Sequence, residues 1–281
     1  MDEISLRNAL AMTPVKEFRY FPETGSTNDV ALEWAQAGGP DGALVVADAQ
    51  IAGRGRMGRT WFTPPGSALA FSLLLRPTPS EVEHIALFAP LGALAIASVF
   101  EQRYGMPVLI KWPNDILLEC CRPNPAGLRK AAGILVETVW QDNLPLAVVV
   151  GVGINVAPEA VPPDDQVIFP ATSVEQARFS GDTRPLKIKR EELLAVLLNE
   201  MFTWREQLGS PEFFIAWERR LAFRGELVSI EQPGKPALTG RLLGLDPDGS
   251  LRLLVKDEPI GAQEQNILSI KAGDVTLRPA L

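Results

Sequence analysis

Gly53-Arg54-Gly55-Arg56-Met57-Gly58-Arg59 is the stretch from which the rest of the chain can be read. Arginine offers a planar fork of donors to a phosphate or carboxylate, and glycine lets backbone N–H groups approach the same anion closely. The stretch lacks the terminal lysine of a Walker loop and the spacing of a dinucleotide-binding turn. Alone, it reads equally well as a solvated basic loop between strands. Its surroundings sharpen the contrast, because the chain carries a net charge of −7 and a pI near 5.0. That balance argues against a general nucleic-acid or anionic-membrane surface, so any anion site is local.

Working outward, Ala43 to Ala47 reads as an apolar strand leading into the loop, and Glu17 to Phe21 as a short strand before it. Ser26 and Thr27 offer caps for a helix from Asn28 to Ala37, which Gly38 to Gly42 terminate. Beyond the loop, Ala68 to Leu75 reads as a strand buried on both faces. Ser80 with Glu83 has capping-box spacing for a helix carrying the apolar run Ile85 to Phe100, with Pro90 expected to kink or split it. Val108 to Trp112, Gly133 to Val139 and Leu146 to Val152 supply further core strands; Lys189 to Leu208 and Pro211 to Leu221 are helical. From Gly225 the texture changes to short β segments, Leu227 to Glu231, Leu238 to Leu245 and Leu251 to Val255, with a turn at Asp246-Pro247-Asp248-Gly249. The expected organisation is an extension over residues 1–17, a catalytic domain over 18–224 and a small β-barrel over 225–281.

The 281 residues, 46% hydrophobic and 22% charged, describe an ordinary folded enzyme or binder, with room for two domains. Asp2, Glu3 and Arg7 break the apolar character of the N-terminus, unlike a signal peptide, and Ile85 to Phe100 is read as a buried helix rather than a membrane span. Cys120 and Cys121 are neighbours, unsuited to bridging each other or to forming a zinc site, and are read as reduced in a cytoplasmic protein. His84, the only histidine, is placed in the predicted helix without a catalytic role.

Three further clusters accompany the loop. Lys111-Trp112-Pro113-Asn114-Asp115 closes a strand: Lys111 can neutralise a phosphate, and Asn114 and Asp115 can hold a magnesium ion or a substrate amine. A turn around a packed tryptophan would look the same. Lys130 precedes Gly133-Ile134-Leu135-Val136-Glu137, where a lysine is usually a surface charge. Gly151-Val152-Gly153-Ile154-Asn155 ends an apolar strand with small residues and one amide, suited to close backbone approach to a ligand.

Together with Ser26-Thr27-Asn28, Gln50 and Thr60-Trp61, these clusters in this order resemble the bacterial biotin protein ligases, in the monofunctional form without an N-terminal DNA-binding domain. The resemblance runs from Phe18 to Leu281. It implies an α/β (α+β) fold: a catalytic domain like those of class II aminoacyl-tRNA synthetases, with a mixed sheet, then an SH3-like barrel. It implies that biotin and ATP form biotinyl-AMP, and that biotin then passes to a lysine on the biotin carboxyl carrier protein of acetyl-CoA carboxylase or a related carboxylase. Ser26, Thr27, Asn28, Gln50 and Gly133 become biotin contacts; Arg54, Gly55 and Arg56 become the loop folding over biotin and adenylate. Lys130 meets the biotin carboxylate and the α-phosphate; Trp61, Lys111, Asn114 and Asn155 lie on the nucleotide side with Arg54 and Arg56; Asp115 lies near the incoming amine. Lys130, Arg56 and Asp115 are the catalytic candidates, and Mg²⁺ is expected to arrive with ATP rather than in a protein cage.

Two features depart from the family pattern. Glu119 to Arg129, with the cysteine pair, is longer than the usual connection, and no adenine-packing residue stands out in Ala157 to Ala171. A lipoate ligase or octanoyltransferase would instead show an Arg-Arg-x-Ser-Gly-Gly-Gly loop or a reactive cysteine. A biotin-sensing repressor would need a helix-turn-helix, for which Met1 to Lys16 is too short, so no DNA partner is expected. A non-catalytic biotin-binding module would be expected to lose Lys130 or the arginines. The expected assembly is a monomer or homodimer, without a membrane partner.

Overall fold

A computed structural model describes residues 1–120, 127–177, 187–232, 234–255, 266–271 and, for the backbone, 276–279. Cys121 and most of the connection before Lys130 lie outside the described residues. The elements run α1 (Glu3–Leu10), β1 (Glu17–Thr24), α2 (Thr27–Gln36), β2 (Ala43–Gln50), β3 (Ala68–Leu75), α3 (Pro79–Val82) and α4 (Phe88–Tyr104). Then come β4 (Val108–Lys111), β5 (Asp115–Cys120), β6 (Gly127–Gln141), β7 (Leu144–Asn155), α5 (Arg190–Glu206) and α6 (Pro211–Arg219). The last five are β8 (Leu227–Glu231), β9 (Leu238–Leu245), β10 (Leu251–Val255), β11 (Asn266–Ile270) and β12 (Thr276–Pro279).

The first seven strands form one sheet in the order β1-β2-β3-β7-β6-β5-β4. Only β1 and β2 pair in parallel, so the sheet is mixed as expected. The last five form a second, antiparallel sheet, β11-β10-β9-β8-β12, in the region where the sequence reading expects a small barrel. β3 is buried on every residue, and glycines 151 and 153 of β7 let Asn28 and the Trp61 indole lie directly on the sheet.

α4 is apolar on all sides because it is surrounded. From Phe88 to Phe100 every residue but Ala89 is buried, although Ile85–Tyr104 is long and apolar enough to cross a bilayer. Its beginning departs from the sequence reading. The capping box is Thr78 with Glu81, not Ser80 with Glu83, because Pro79 takes the first helical position, which needs no N–H. Pro90 falls in the first turn of α4 and does not kink it, its missing N–H having no partner to lose there. His84 stands between α3 and α4 rather than inside a helix. Ser26 occupies the cap position of α2, but its side chain makes no capping bond, and the helix starts at Thr27.

The core is continuous across both sheets, with Val228, Leu242, Leu251 and Leu253 joining the cluster that contains α4 and Trp217. A specific bond also crosses. The buried indole of Trp112 donates to the Gly249 carbonyl at 3.1 Å. Gly249 sits at φ 82° in the β9–β10 turn, and a Cβ there would press on Leu87 and Trp217.

Candidate active site

One cavity of about 650 Å³ lies over the middle of the seven-stranded sheet. Every residue given a biotin, nucleotide or catalytic role from the sequence lines it: Ser26, Thr27, Asn28, Gln50, Arg54, Gly55, Arg56, Trp61, Lys111, Asn114, Asp115, Lys130, Gly133 and Asn155. Its volume suits a small organic ligand plus a nucleotide.

At one end the polar groups are uncharged and held by one another. Thr27 donates to Gln50 Oε1 through its backbone N–H (2.8 Å) and hydroxyl (3.1 Å), while Gln50 Nε2 donates to Thr63 Oγ1 at 3.1 Å. Asn28 Nδ2 donates to Glu137 Oε2 (2.8 Å) and the Leu135 carbonyl (3.3 Å), and its Oδ1 accepts from the buried Ser72 hydroxyl at 2.6 Å. The floor is glycine. A Cβ on Gly151 would collide with Asn28 Oδ1, and one on Gly153 with the Trp61 indole. Glycine is required there by close approach rather than by backbone angle.

The glycine–arginine loop is a short hairpin closing on itself. Gly55 N donates to the Arg59 carbonyl (2.7 Å) and Trp61 N to that of Gly53 (2.8 Å), with Met57 and Gly58 left-handed at the tip. A Cβ on Gly53 would strike the Trp61 carbonyl. Arg54 turns to Asp29 and Glu137, bonding the latter at 3.0 Å. Arg56 Nη1 reaches Asn114 Oδ1 at 3.2 Å, and Asn114 Nδ2 is fixed on the Ile134 carbonyl at 2.7 Å. The Trp61 indole N–H is buried without a hydrogen-bond partner, a donor left over beside the cavity.

The other end is charged. Lys111 ends β4 and Asp115 begins β5, so the turn between them sets the two opposite each other. Asp115 Oδ2 lies 3.2 Å from Lys111 Nζ, and Oδ1 lies 2.6 Å from Lys130 Nζ. Lys130 is a residue of β6 itself, not a residue before the strand, and a bridge to Ala171 secures its far side. This placement displaces the surface-lysine reading: only a quarter of its side chain is exposed. Burial pushes the Asp115 carboxyl upward, but Lys130 and Lys111 outweigh it and hold the pKa below the usual carboxylate value. Burial pushes the Lys111 ammonium down, which Asp115 only partly offsets.

Asn155 Nδ2 donates to the Thr172 carbonyl at 3.1 Å, tying β7 to the segment forming the pocket's remaining wall. Pro162, Gln166, Val167, Ile168, Phe169 and Ala171 line that wall, and Lys111 Nζ lies 5.0 Å from the Phe169 ring centroid. Sequence reading located no packing residue here, although Phe169 is the sole aromatic between Ala157 and Ala171. Thr63, Ser72 and Glu137 were also given no role, and only Glu137 lay inside a quoted motif.

Known proteins resemble this chain in sequence and fold. The profile of the Biotin/lipoate A/B protein ligase family matches residues 20–155. The Bifunctional ligase/repressor BirA of Bacillus subtilis is 37% identical over 83% of this chain, which spans 68% of that protein. The Biotin--[acetyl-CoA-carboxylase] ligase of Paracoccus denitrificans is 34% identical over 82% of this chain and 91% of its own length. The enzyme of that name from Mycobacterium tuberculosis is 30% identical over 98% and 95%. Among solved structures, the biotin protein ligase of Aquifex aeolicus, in complex with biotin and ATP, superposes with a TM-score of 0.72, at 26% identity, covering 94% of this chain and all of the other.

Proposed function

Because this chain belongs to the biotin/lipoate A/B protein ligase family, among its biotin protein ligases, we propose that it condenses biotin with ATP and passes the biotinyl group to a lysine of a carrier protein. The observation that carries the proposal is a single cavity with a neutral, amide-lined end and an end built from Lys111, Asp115 and Lys130.

The uncharged end suits the ureido ring of biotin, which offers neutral donors and an acceptor. The biotin carboxylate then lies towards Lys130, where it attacks the α-phosphorus of ATP, the bond to the β-phosphate breaks and pyrophosphate leaves. Charge builds on the phosphoryl oxygens, and the fixed cations Lys130, Lys111 and Arg56 stabilise it without reorganisation. Asp115 is already bound by two ammonium groups; Mg²⁺ would enter with the triphosphate and supply charge neutralisation there.

In the second step the carrier amine attacks the acyl carbon and AMP departs. Asp115, held ionised, attracts the approaching amine. Trp61 and the hairpin Gly53 to Arg59 cover the mixed anhydride against water, and the Phe169 wall receives the adenine. The acceptor is the carrier of acetyl-CoA carboxylase, in a cytoplasmic monomer or homodimer that uses no DNA.

Incubation with ATP, Mg²⁺ and either biotin or lipoate, followed by mass spectrometry, tests this reading. Biotinyl-AMP alone is expected; lipoyl-AMP as the main product, or no adenylate, overturns it.

A further inference from the structure

Glu137 closes the motif Gly133-Ile134-Leu135-Val136-Glu137 but does not line the cavity. Its Oε2 nevertheless receives two donors from the biotin end: Asn28 Nδ2 at 2.8 Å and Arg54 Nη2 at 3.0 Å. The Asn28 amide has two N–H hydrogens, and both are taken, one by Glu137 and one by the Leu135 carbonyl. Ser72 holds the opposite side of the amide, at Oδ1. That oxygen lies against Gly151 on the pocket floor and keeps a lone pair.

The geometry points to Glu137 as a positioning residue that sets ligand specificity: by holding the Asn28 nitrogen, it leaves only an oxygen for the ligand. A group seated there must bring an N–H. The ureido ring of biotin does so, whereas a dithiolane ring or a ring oxygen brings none and would leave a buried acceptor unpaired. A negatively charged acceptor on Nδ2 is well suited to this task, because charge-assisted bonds are the stronger ones and resist rotation of the amide. Asp29 also binds Arg54, so the loop arginine has a second anchor, whereas among the bonds of the Asn28 amide the one to Glu137 alone is charge-assisted.

This inference rests on the reading of Asn28 as facing biotin. The test compares the affinity of biotin with that of a carbamate analogue in which the ring N–H is replaced by oxygen, measured by calorimetry without ATP. The wild-type chain is expected to prefer biotin by roughly thirtyfold or more, the cost of an unmatched buried acceptor. In Glu137→Ala the amide keeps only its neutral bonds to the Leu135 carbonyl and Ser72, a weaker hold that a carbamate can overcome by turning the amide to present its nitrogen. Biotin should then weaken about tenfold and the preference fall below about fivefold. Glu137→Gln retains an acceptor oxygen and should restore both values; Glu137→Met, which keeps the volume without an acceptor, should behave like alanine. A preference unchanged in the alanine or methionine variant overturns the inference, as does failure of glutamine to restore it. Absence of biotin binding in the wild-type chain would instead overturn the proposed function.

Discussion

The two ends of the cavity are built from the same sheet on opposite principles. Around Thr27, Asn28, Gln50 and Ser72 the lining groups are neutral, small and bonded to one another, with the Glu137 carboxylate holding Asn28 from behind. Around Asp115 a carboxylate stands between two ammonium groups. On the proposed function, the neutral end would gain selectivity from fixed donor and acceptor directions, whereas the charged end would gain rate from fields that act once a phosphate is present. Perturbing one end should therefore alter which ligand binds, and perturbing the other how fast it reacts.

The largest effect expected is at Lys130. Lys130→Ala should lower single-turnover adenylate formation by roughly a hundredfold or more, since a preorganised charge at a developing anion is worth about 3 kcal/mol. Biotin affinity should fall by less, about tenfold, the worth of one charge-assisted contact to the biotin carboxylate. A wild-type rate, or a loss confined to biotin binding, would merge the two ends into one. Asp115→Asn keeps the shape and removes the charge, leaving two ammonium groups facing each other in a mostly buried site. Breaking such a pair should cost about 3 kcal/mol of stability, read from urea unfolding. An unchanged midpoint would show that the carboxylate is not what holds the lysines together.

At the seam between the ends stands Arg56, bonded to Asn114. Arg56→Ala should speed dissociation of biotinyl-AMP roughly ten- to a hundredfold, with a smaller change in its formation, because a charge-assisted contact contributes about 1.5–3 kcal/mol. Equal dissociation from both proteins would remove the loop from retention. The smallest effect concerns acid. The folded Asp115 pKa lies below its ordinary value of 3.8, so its stabilisation is fully present above that value and lost as pH falls through the lower folded pKa. The difference between wild type and Asp115→Asn should stay constant from pH 7 to about 5 and shrink only below about 4. A difference that faded near pH 6 would place the carboxyl in another environment.

Much of the charged end was legible because its residues lie close in the chain: Lys111 and Asp115 flank one turn, and the strands on either side carry a strong apolar pattern. The neutral end was legible only as a set of residue types. Nothing local in the sequence says that Asn28 reaches Glu137 or that Ser72 lies beneath both Thr27 and Asn28, since such partners meet only when β3, β6 and β7 are adjacent. β11 and β12 went unread, and so, for local reasons, did β5 and α1. β5 begins with the charged Asp115 and runs into a Pro-containing segment, so Ile116 to Cys120 did not stand out as a strand. The helix Glu3–Leu10 is short, and Asp2, seen only as a break in apolar character, is its N-cap. At α3 the sequence reading took Ser80 with Glu83 as the capping box, whereas Pro79 at the first helical position sets it at Thr78 with Glu81.

The bond from Trp112 to the Gly249 carbonyl reaches beyond packing. Trp112 sits three residues before Asp115 and two before Asn114, so the turn that aims the charged groups is fastened at its centre to a loop more than a hundred residues later. Because the hydrophobic core also runs without a break between the sheets, melting the five-stranded sheet would release the Trp112 turn with it. Heat capacity scans should then show one cooperative transition rather than two. In such an arrangement the late strands would act as a clasp on the early ones: a chain whose last strands had not yet assembled would lack the bond that fastens the turn between Lys111 and Asp115.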